Sequence, residues 1–496
     1  GTYEAGTETD NSSSLSATTS TGYTLGGSFS GWNNSSGEYV SWTFRKEPKF
    51  FDIVTYTGNG SNRTISHNLA SAPGMILIKN RDQGDNWAVF HRSQNNETSP
   101  ENYTLALNTT AGDTSGVWNG TLPTSSVFSV GTDHTVNANG ENYVAYLFAH
   151  NNNDGGFGPD GEDIIKCGHF QTDGNEDATI DLGFEPQWVL FKRYNSSTGG
   201  DWNIYDNMRG MHGDFLSQAA LLEANTTDTE DATTNRIAVT STGFKIDNFG
   251  SNRPYIYVAI RRPDMSTPTD ATDVFAVQDG RGSSKLFTAG FPIDMFLMGD
   301  DTGDNWQIKD RLRAQKDLAT NSTASESDNT FYYFDDQTGL VTSSGGGSAL
   351  AQLTGYMWKR AKGYFDMVAY TGTGTAGLTV NHNLGVAPEM TWVKRRDSAT
   401  NWRVNVAALG TNGQDSPVLR LNLSNASEDD NGSYFGNNNS GGYTAPTSSV
   451  LTLGGHGDVN ASGGTYMAYL FATVAGVSKC GSFSHTNGSA TDVDCG

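Results

Sequence analysis

The residues in this sequence best suited to recognition chemistry are acids and amides set just ahead of tryptophan. Four turns have this form: Asp82, Asp85 and Asn86 before Trp87; Asp201 before Trp202; Asp300, Asp301, Asp304 and Asn305 before Trp306; Asp397 and Asn401 before Trp402. Such a set can hold a saccharide, because sugar C–H faces stack on rings while hydroxyls need fixed donors and acceptors. The same residues have a plainer use, in which Asx side chains close a turn and the Trp fills a core. Alternation of Trp with Val, as in Trp87-Ala88-Val89 and Trp402-Arg403-Val404, favours that second use. Trp32 and Trp118 stand in Gly/Asn-rich loops outside any alternating run and read as exposed contact residues.

Metal chemistry has one candidate. The stretch Asp154-Gly-Gly-Phe-Gly-Pro-Asp160-Gly-Glu162-Asp163 gathers carboxylates and glycines, the ligand type of a hard cation such as calcium. It lacks the EF-hand spacing, and a solvated linker is the simpler reading. Its G-x-G-x-x-G pattern precedes a strand rather than a helix, so it is no phosphate cradle. No other cofactor is implied. Enzyme patterns are missing: there is no G-x-S-x-G elbow, no HExxH, and no strand carrying two carboxylates on one face. The adjacent acids Glu230 and Asp231, and Asp429 and Asp430, point apart. Cys167 and His169 share a strand face, yet two ligands make no zinc site. We therefore expect no catalysis.

The elements that must position these residues repeat. A small-polar stretch, a short strand and an aromatic strand recur five times, the aromatic strands opening at Tyr39, Tyr143, Tyr255, Tyr356 and Tyr466. FFDIVTYTGNGSNRTISHNL near residue 50 returns as YFDMVAYTGTGTAGLTVNHNL near 364, with His67 and His382 placed to fix the hairpin end. A period of roughly 105 residues is one domain, so the organisation is tandem. Residues 1–49 read as the closing half of a unit, 50–150 as a unit, 163–262 as another, 273–362 as a degenerate one, 364–474 as a fourth and 477–496 as the opening hairpin of a further one. Either the chain is part of something longer, or the last hairpin completes the first half-unit, in the same molecule or a neighbour.

Period-2 alternation bounded by Gly, Asn and Asp makes each unit β. Met75–Lys79 and Trp188–Lys192 are continuous apolar runs, as strands covered on both faces require. The expected fold is all-β, a series of antiparallel β-sandwiches of jelly-roll or lectin-like type. Only 214–224 and 308–319 read as helical. The stretch 261–273, with Pro263 and Pro268, is the best linker, followed by 151–163.

Composition narrows the function. Against 54 acidic residues stand 31 basic ones, a net charge of −23, which argues against binding nucleic acid or anionic lipid. No apolar run is long enough for a membrane helix, and three cysteines are too few for a disulfide scaffold.

The stretch FRKEPKFFDIVTYTGNGSNRTISHNLASAPGMILIKNRD, followed by ENYVAYLFAH, resembles the repeat unit of tail-fibre and related structural proteins of marine bacteriophages, described as concanavalin-A-like. The resemblance is strongest over 45–150 and 360–473 and weakest over 273–360. It implies a non-enzymatic virion appendage that is extracellular and homo-oligomeric. Its partners would be other virion proteins and a host cell-surface glycan or protein receptor. A bacterial surface adhesin or filament subunit, and a polysaccharide depolymerase, are the alternatives.

Overall fold

The computed structural model describes residues 1–9, 14–19, 22–26, 33–34, 37–152, 162–195, 200–215, 219–233, 236–263, 266–279, 286–300, 303, 305–313, 315–329, 332–334, 337–342, 353–410, 416–437 and 442–495. One sheet order occurs four times. In the first module the spatial order is Phe51–Thr57, Asn142–Ala149, Pro73–Asn80, Ala88–His91, Tyr103–Ala106 and Thr114–Ser115. The strand that closes the module in sequence thus lies between its opening and third strands. Pro254–Arg261, Leu353–Trp358 and Thr465–Phe471 hold the same central place in the second, third and fourth modules. Every pairing is antiparallel. The all-β sandwich class is therefore what the chain adopts, including over 275–358.

A smaller sheet faces each large one. It is Arg63–Ser66 with Val127–Val130 in the first module and Leu378–Asn381 with Val450–Leu453 in the fourth. The second and third modules use three strands each, built around Gly243–Ile246 and Gly339–Thr342. Large apolar residues alternate to the inside: Ile76, Ile78, Phe128, Val130 and Leu147 in the first module, and Phe296, Met298, Phe287 and Met357 in the third.

An aromatic corner explains the repeated Val-Asn-Ala and Tyr. His134–Asn137 and Gly457–Asn460 are one-turn helices, N-capped by Asp133 and His456. The hydroxyl of Tyr143 accepts from Ala138 N at 2.8 Å and donates to His134 O at 2.7 Å; Tyr466 does the same with Ala461 N and Gly457 O, both at 2.7 Å. Asn137, fully buried, donates to Ser61 O and Gly131 O, and Asn460 to Thr375 O and Gly454 O. Stacked pairs, Tyr56 on Tyr143 and Tyr370 on Tyr466, close both corners. A Cβ at Gly58 or Gly372 would strike the Ala138 or Ala461 carbonyl, so the Tyr-Thr-Gly turn is fixed by sterics.

Several expectations are corrected. Residues 214–224 and 308–319 contain no described helix. Leu222–Glu223 pairs with Asn203–Asp206, and Gln307–Asp310 forms a hairpin with Lys316–Ala319, setting buried Ile308 opposite buried Leu318. Sheet pairing outweighs the local preference of Ala, Leu and Lys for helix. Tyr356 is not the counterpart of Tyr143: by pairing register Trp358 faces Met295 as Phe148 faces Met75, which puts Leu353 at the corner position. The aromatic segment 39–44 and residues 479–495 form no strands.

Asn137→Ala and Asn460→Ala should each cost about 2–6 kcal/mol of stability, since two backbone carbonyls lose their donor at roughly 1–3 kcal/mol apiece. Urea unfolding of each variant against wild type measures this; losses below about 1 kcal/mol would remove the corner from the account.

Candidate functional site

In the first, second and fourth modules the residues before the Trp build a clasp. Asn108 accepts from Trp87 N at 3.0 Å and donates to Asn86 Oδ1 at 2.9 Å. Asn225 accepts from Trp202 N at 2.7 Å and donates to Asp201 Oδ1 at 2.8 Å, and Asn422 treats Trp402 and Asn401 in the same way, both at 3.0 Å. Asp85 is similarly engaged: it accepts from Asn80 Nδ2 at 2.8 Å and lies 2.9 Å from His134 Nδ1. In the third module Thr320 N donates to Trp306 O at 2.8 Å, and Asn305 beside it is exposed. Asp304 lies outside the described residues. The matching Asn108, Asn225, Asn321 and Asn422, each followed by Ser or Thr two positions on, were the signal for this clasp in the sequence.

The clasp aims two indoles across module boundaries. Trp202 Nε1 donates to Ala106 O of the first module, and Trp402 Nε1 to Ala319 O of the third, each at 2.9 Å. Lys192 Nζ donates to Thr109 O at 3.3 Å and Lys394 Nζ to Thr323 O at 3.2 Å beside these bonds. Burial pulls both ammoniums down to about 8. The large sheets of the first and second modules therefore pack back to back, with Met75, Leu77 and Phe148 against Trp188, Leu190 and Ile204. The third and fourth modules repeat the pairing with Met295, Ile308 and Leu318 against Phe365, Met367 and Tyr469.

Trp118 is corrected outright. It is 2% exposed, packs edge-on against Phe90 and donates to Tyr103 O at 2.9 Å, so it is a core residue rather than a surface ring. A Gly/Asn-rich sequence around a Trp reports tight turns, and turns can fold a ring inward as readily as outward. Trp32, Asp154 and Asp160 lie outside the described residues. Glu162 meets Arg261 Nη1 at 2.7 Å and Lys362 Nζ at 4.0 Å, and Asp163 meets Lys166 at 3.4 Å, so both acids already face cations. Among the described residues no group of three or more His, Cys, Asp or Glu is placed to hold a metal ion.

Among the described residues, clefts between modules include a polar and an apolar one. The polar one, of about 290 Å³, is lined by Glu162, Arg261, Lys362, His382, Asn383 and Ser448 of the second and fourth modules and their joints. Its floor is a buried ionic joint that sequence reading missed. Arg360 donates to Asp294 at 3.2 Å and to Glu185 at 2.9 Å and lies 3.9 Å from Asp366; Arg262 lies 3.6 Å from Glu185. Three modules thus meet in one charge network. Burial pushes the Asp294 carboxyl up, and the facing Arg360, Arg262 and Arg311 outweigh this and hold it below its ordinary value. The available signal was a basic residue six positions before the opening-strand Asp, as in Lys46 and Asp52, which pair at 2.6 Å, and Arg360 and Asp366. His67 and His382 behave as read: each accepts through Nδ1 from a Leu N–H two residues on, while the Asn between them caps Asp52 or Asp366.

The second cleft, about 340 Å³, is apolar. It lies between the first two modules, where Trp42 and Phe44 of the aromatic segment meet Met75, Leu77, Trp188 and Val258. Trp42 also donates to Asp206 at 3.0 Å and lies under Arg209. The segment expected as a closing strand therefore serves as an apolar plug at the first pair.

Comparison with known proteins adds a family and little else. A family model described as a domain of unknown function (DUF7483) matches residues 2–262 and 345–496. No curated protein matches the chain. Among solved structures, the crystal structure of the STIV MCP is similar over 42% of this chain and 85% of that chain, at 10% identity and a TM-score of 0.14, too low to define a shared fold. No helix among the described residues is long and apolar enough to cross a membrane.

Trp118→Ala should destabilise the first module by about 3–5 kcal/mol, the range for truncating a buried large aromatic, with loss of soluble protein as the readout. A second outcome concerns acid. His91 is fully buried, its Nε2 3.0 Å from Tyr257 O of the second module, and burial pulls it down to about 3. An unfolded histidine titrates near 6.5, so the unfolded chain binds more protons in between; this stability is present above about pH 6.5 and lost as pH falls toward 3. Thermal melts at falling pH should therefore descend more steeply for wild type than for His91→Gln. Parallel descents would show that the ring is not held neutral.

Proposed function

The chain belongs to the DUF7483 family, and from that premise and the paired packing we propose that it is a non-enzymatic structural component of a virion fibre or appendage. Its modules give length and stiffness, and one inter-module cleft contacts a host cell-surface glycan or protein. The back-to-back pairing carries this reading. The residues best suited to a glycan platform, the Asx-Trp turns, are committed in the second and fourth modules to joining modules, as a rod requires. A rod with several weak contacts gains avidity through repetition.

Catalysis has little support in the described geometry. The carboxylates lining the polar cleft, Glu162 and Glu185, face arginines rather than each other, whereas a glycosidase needs two carboxyls roughly 5–10 Å apart across a bond. The polar cleft is the better contact surface. Asn383, His382, Ser448 and Ser449 offer the mixed donors and acceptors that hydroxyls require, over a floor already neutralised. The acidic, weakly basic composition suits an extracellular surface that ignores nucleic acid.

Antibody raised against the recombinant chain should label the appendages of intact virions, and the chain should bind host cells with and without chelator. Ser448→Trp, placed at the exposed rim of the polar cleft, should reduce that binding at least tenfold without changing the thermal midpoint. Labelling confined to a host-cell filament would move the assignment to an adhesin. Sugar release from host polysaccharide would end the non-enzymatic reading.

A further inference from the structure

The third module carries an ionisable pair where its siblings carry mostly uncharged core residues. The register that sets Ile308 opposite Leu318 places Lys309 opposite Asp317 on adjacent antiparallel strands. Equivalent pairs are Phe90 and Thr104 in the first module, Tyr205 and Leu221 in the second, and Asn405 and Val418 in the fourth. Lys309 is fully buried and Asp317 is 6% exposed. The Lys309 Nζ touches Asp317 Oδ1 and sits 4.7 Å from the centre of the Tyr332 ring, among Phe296, Met298 and Phe334. Asp317 Oδ2 accepts from Asn329 Nδ2 at 2.5 Å.

We propose that Lys309 and Asp317 condense to an intramolecular isopeptide bond that staples the two strands of the third module. Two full charges in an apolar core are costly, and passing a proton from ammonium to carboxylate removes both. Burial, with Arg313 nearby, pulls the lysine down to about 6 and so favours the neutral amine that the step requires. The Nζ lone pair then adds to Cγ of the carboxylic acid. Oδ1, protonated in the first transfer, takes the second proton from nitrogen and leaves as water, breaking its bond to carbon as the C–N bond forms. Oδ2 remains as the amide carbonyl, and Asn329 Nδ2–H is already placed to stabilise charge that builds on it. No oxidant, nucleotide or metal enters the balance, and the fixed contact of the two groups supplies the proximity that condensation in water lacks.

The location fits the need. The third module lacks both the Tyr-Thr-Gly corner turn and the His-Asn-Leu end that hold the first and fourth, so a covalent strand-to-strand link would replace lost packing. This inference does not depend on the fibre assignment. Intact-mass spectrometry of the denatured full-length chain should give a mass about 18 Da below that of the sequence, the loss of one water. Trypsin should leave Lys309 uncut, with a branched peptide joining it to the one containing Asp317. Lys309→Arg and Asp317→Ala should each restore the full sequence mass. A wild-type chain at full mass, cleaved normally after Lys309, would overturn the proposal, as would a water loss mapped to another pair. The wild-type digest decides even where a variant fails to fold.

Discussion

Each large sheet in this chain has two apolar faces and its own module covers only one. The opposing sheet, two or three short strands, shields the inner face and leaves Met75, Leu77 and Phe148, or Met295 and Ile308, on the other side. Burying that outer face requires a second large sheet, so the folding problem is solved in pairs of modules. Trp202 and Trp402 mark where the pairs close, each giving its indole N–H to a backbone carbonyl of the preceding module. The Asx clasp ahead of Trp202 and Trp402 is what aims these two rings. A side chain of that size buries roughly 150–250 Å², enough to dominate a joint of this kind.

Much of this was legible before any coordinates. The equivalence of the units followed from repeated words, the sandwich class from alternation, and burial on both faces from Met75–Lys79 and Trp188–Lys192. What sequence could not supply was direction. Trp118 sits in a loop by composition, and only the fold shows the loop turning it onto Phe90. Residues 308–319 have helical composition, and only the pairing of Ile308 with Leu318 reveals a hairpin. In the third module Tyr356 resembles a corner aromatic because one aromatic in a row of them looks like another, whereas register is decided by which residues face across the strands.

Charge is used differently inside and outside. The chain as a whole is strongly acidic, yet arginine collects at the joints: Arg262, Arg311 and Arg360 around Asp294, Glu185 and Asp366, and Arg313 and Arg396 around Asp310 and Glu326. Buried ion networks of this sort contribute little net stability compared with apolar packing, because desolvation offsets the attraction. Their effect is on register. An apolar face tolerates sliding, but an Arg360 shifted from its seat would strip Asp294, Glu185 and Asp366 of a buried cation together. The apolar faces therefore hold the modules together and the arginines fix how they are seated.

The two kinds of joint divide the labour along the chain. Within a pair, contact is mostly aromatic and aliphatic, reinforced by Lys192 or Lys394 reaching over to a carbonyl. Between pairs the apolar cluster continues and an ionic network is added to it, with Glu185 of the second module reaching Arg360 at the end of the third, and Arg262 lying 4.0 Å from Asp366 of the fourth. The polar cleft lies over this second joint and shares Glu185 and Arg262 with it. Its shape is thus set by how one pair sits on the next, so anything lodged there senses the angle between pairs rather than the surface of a single module.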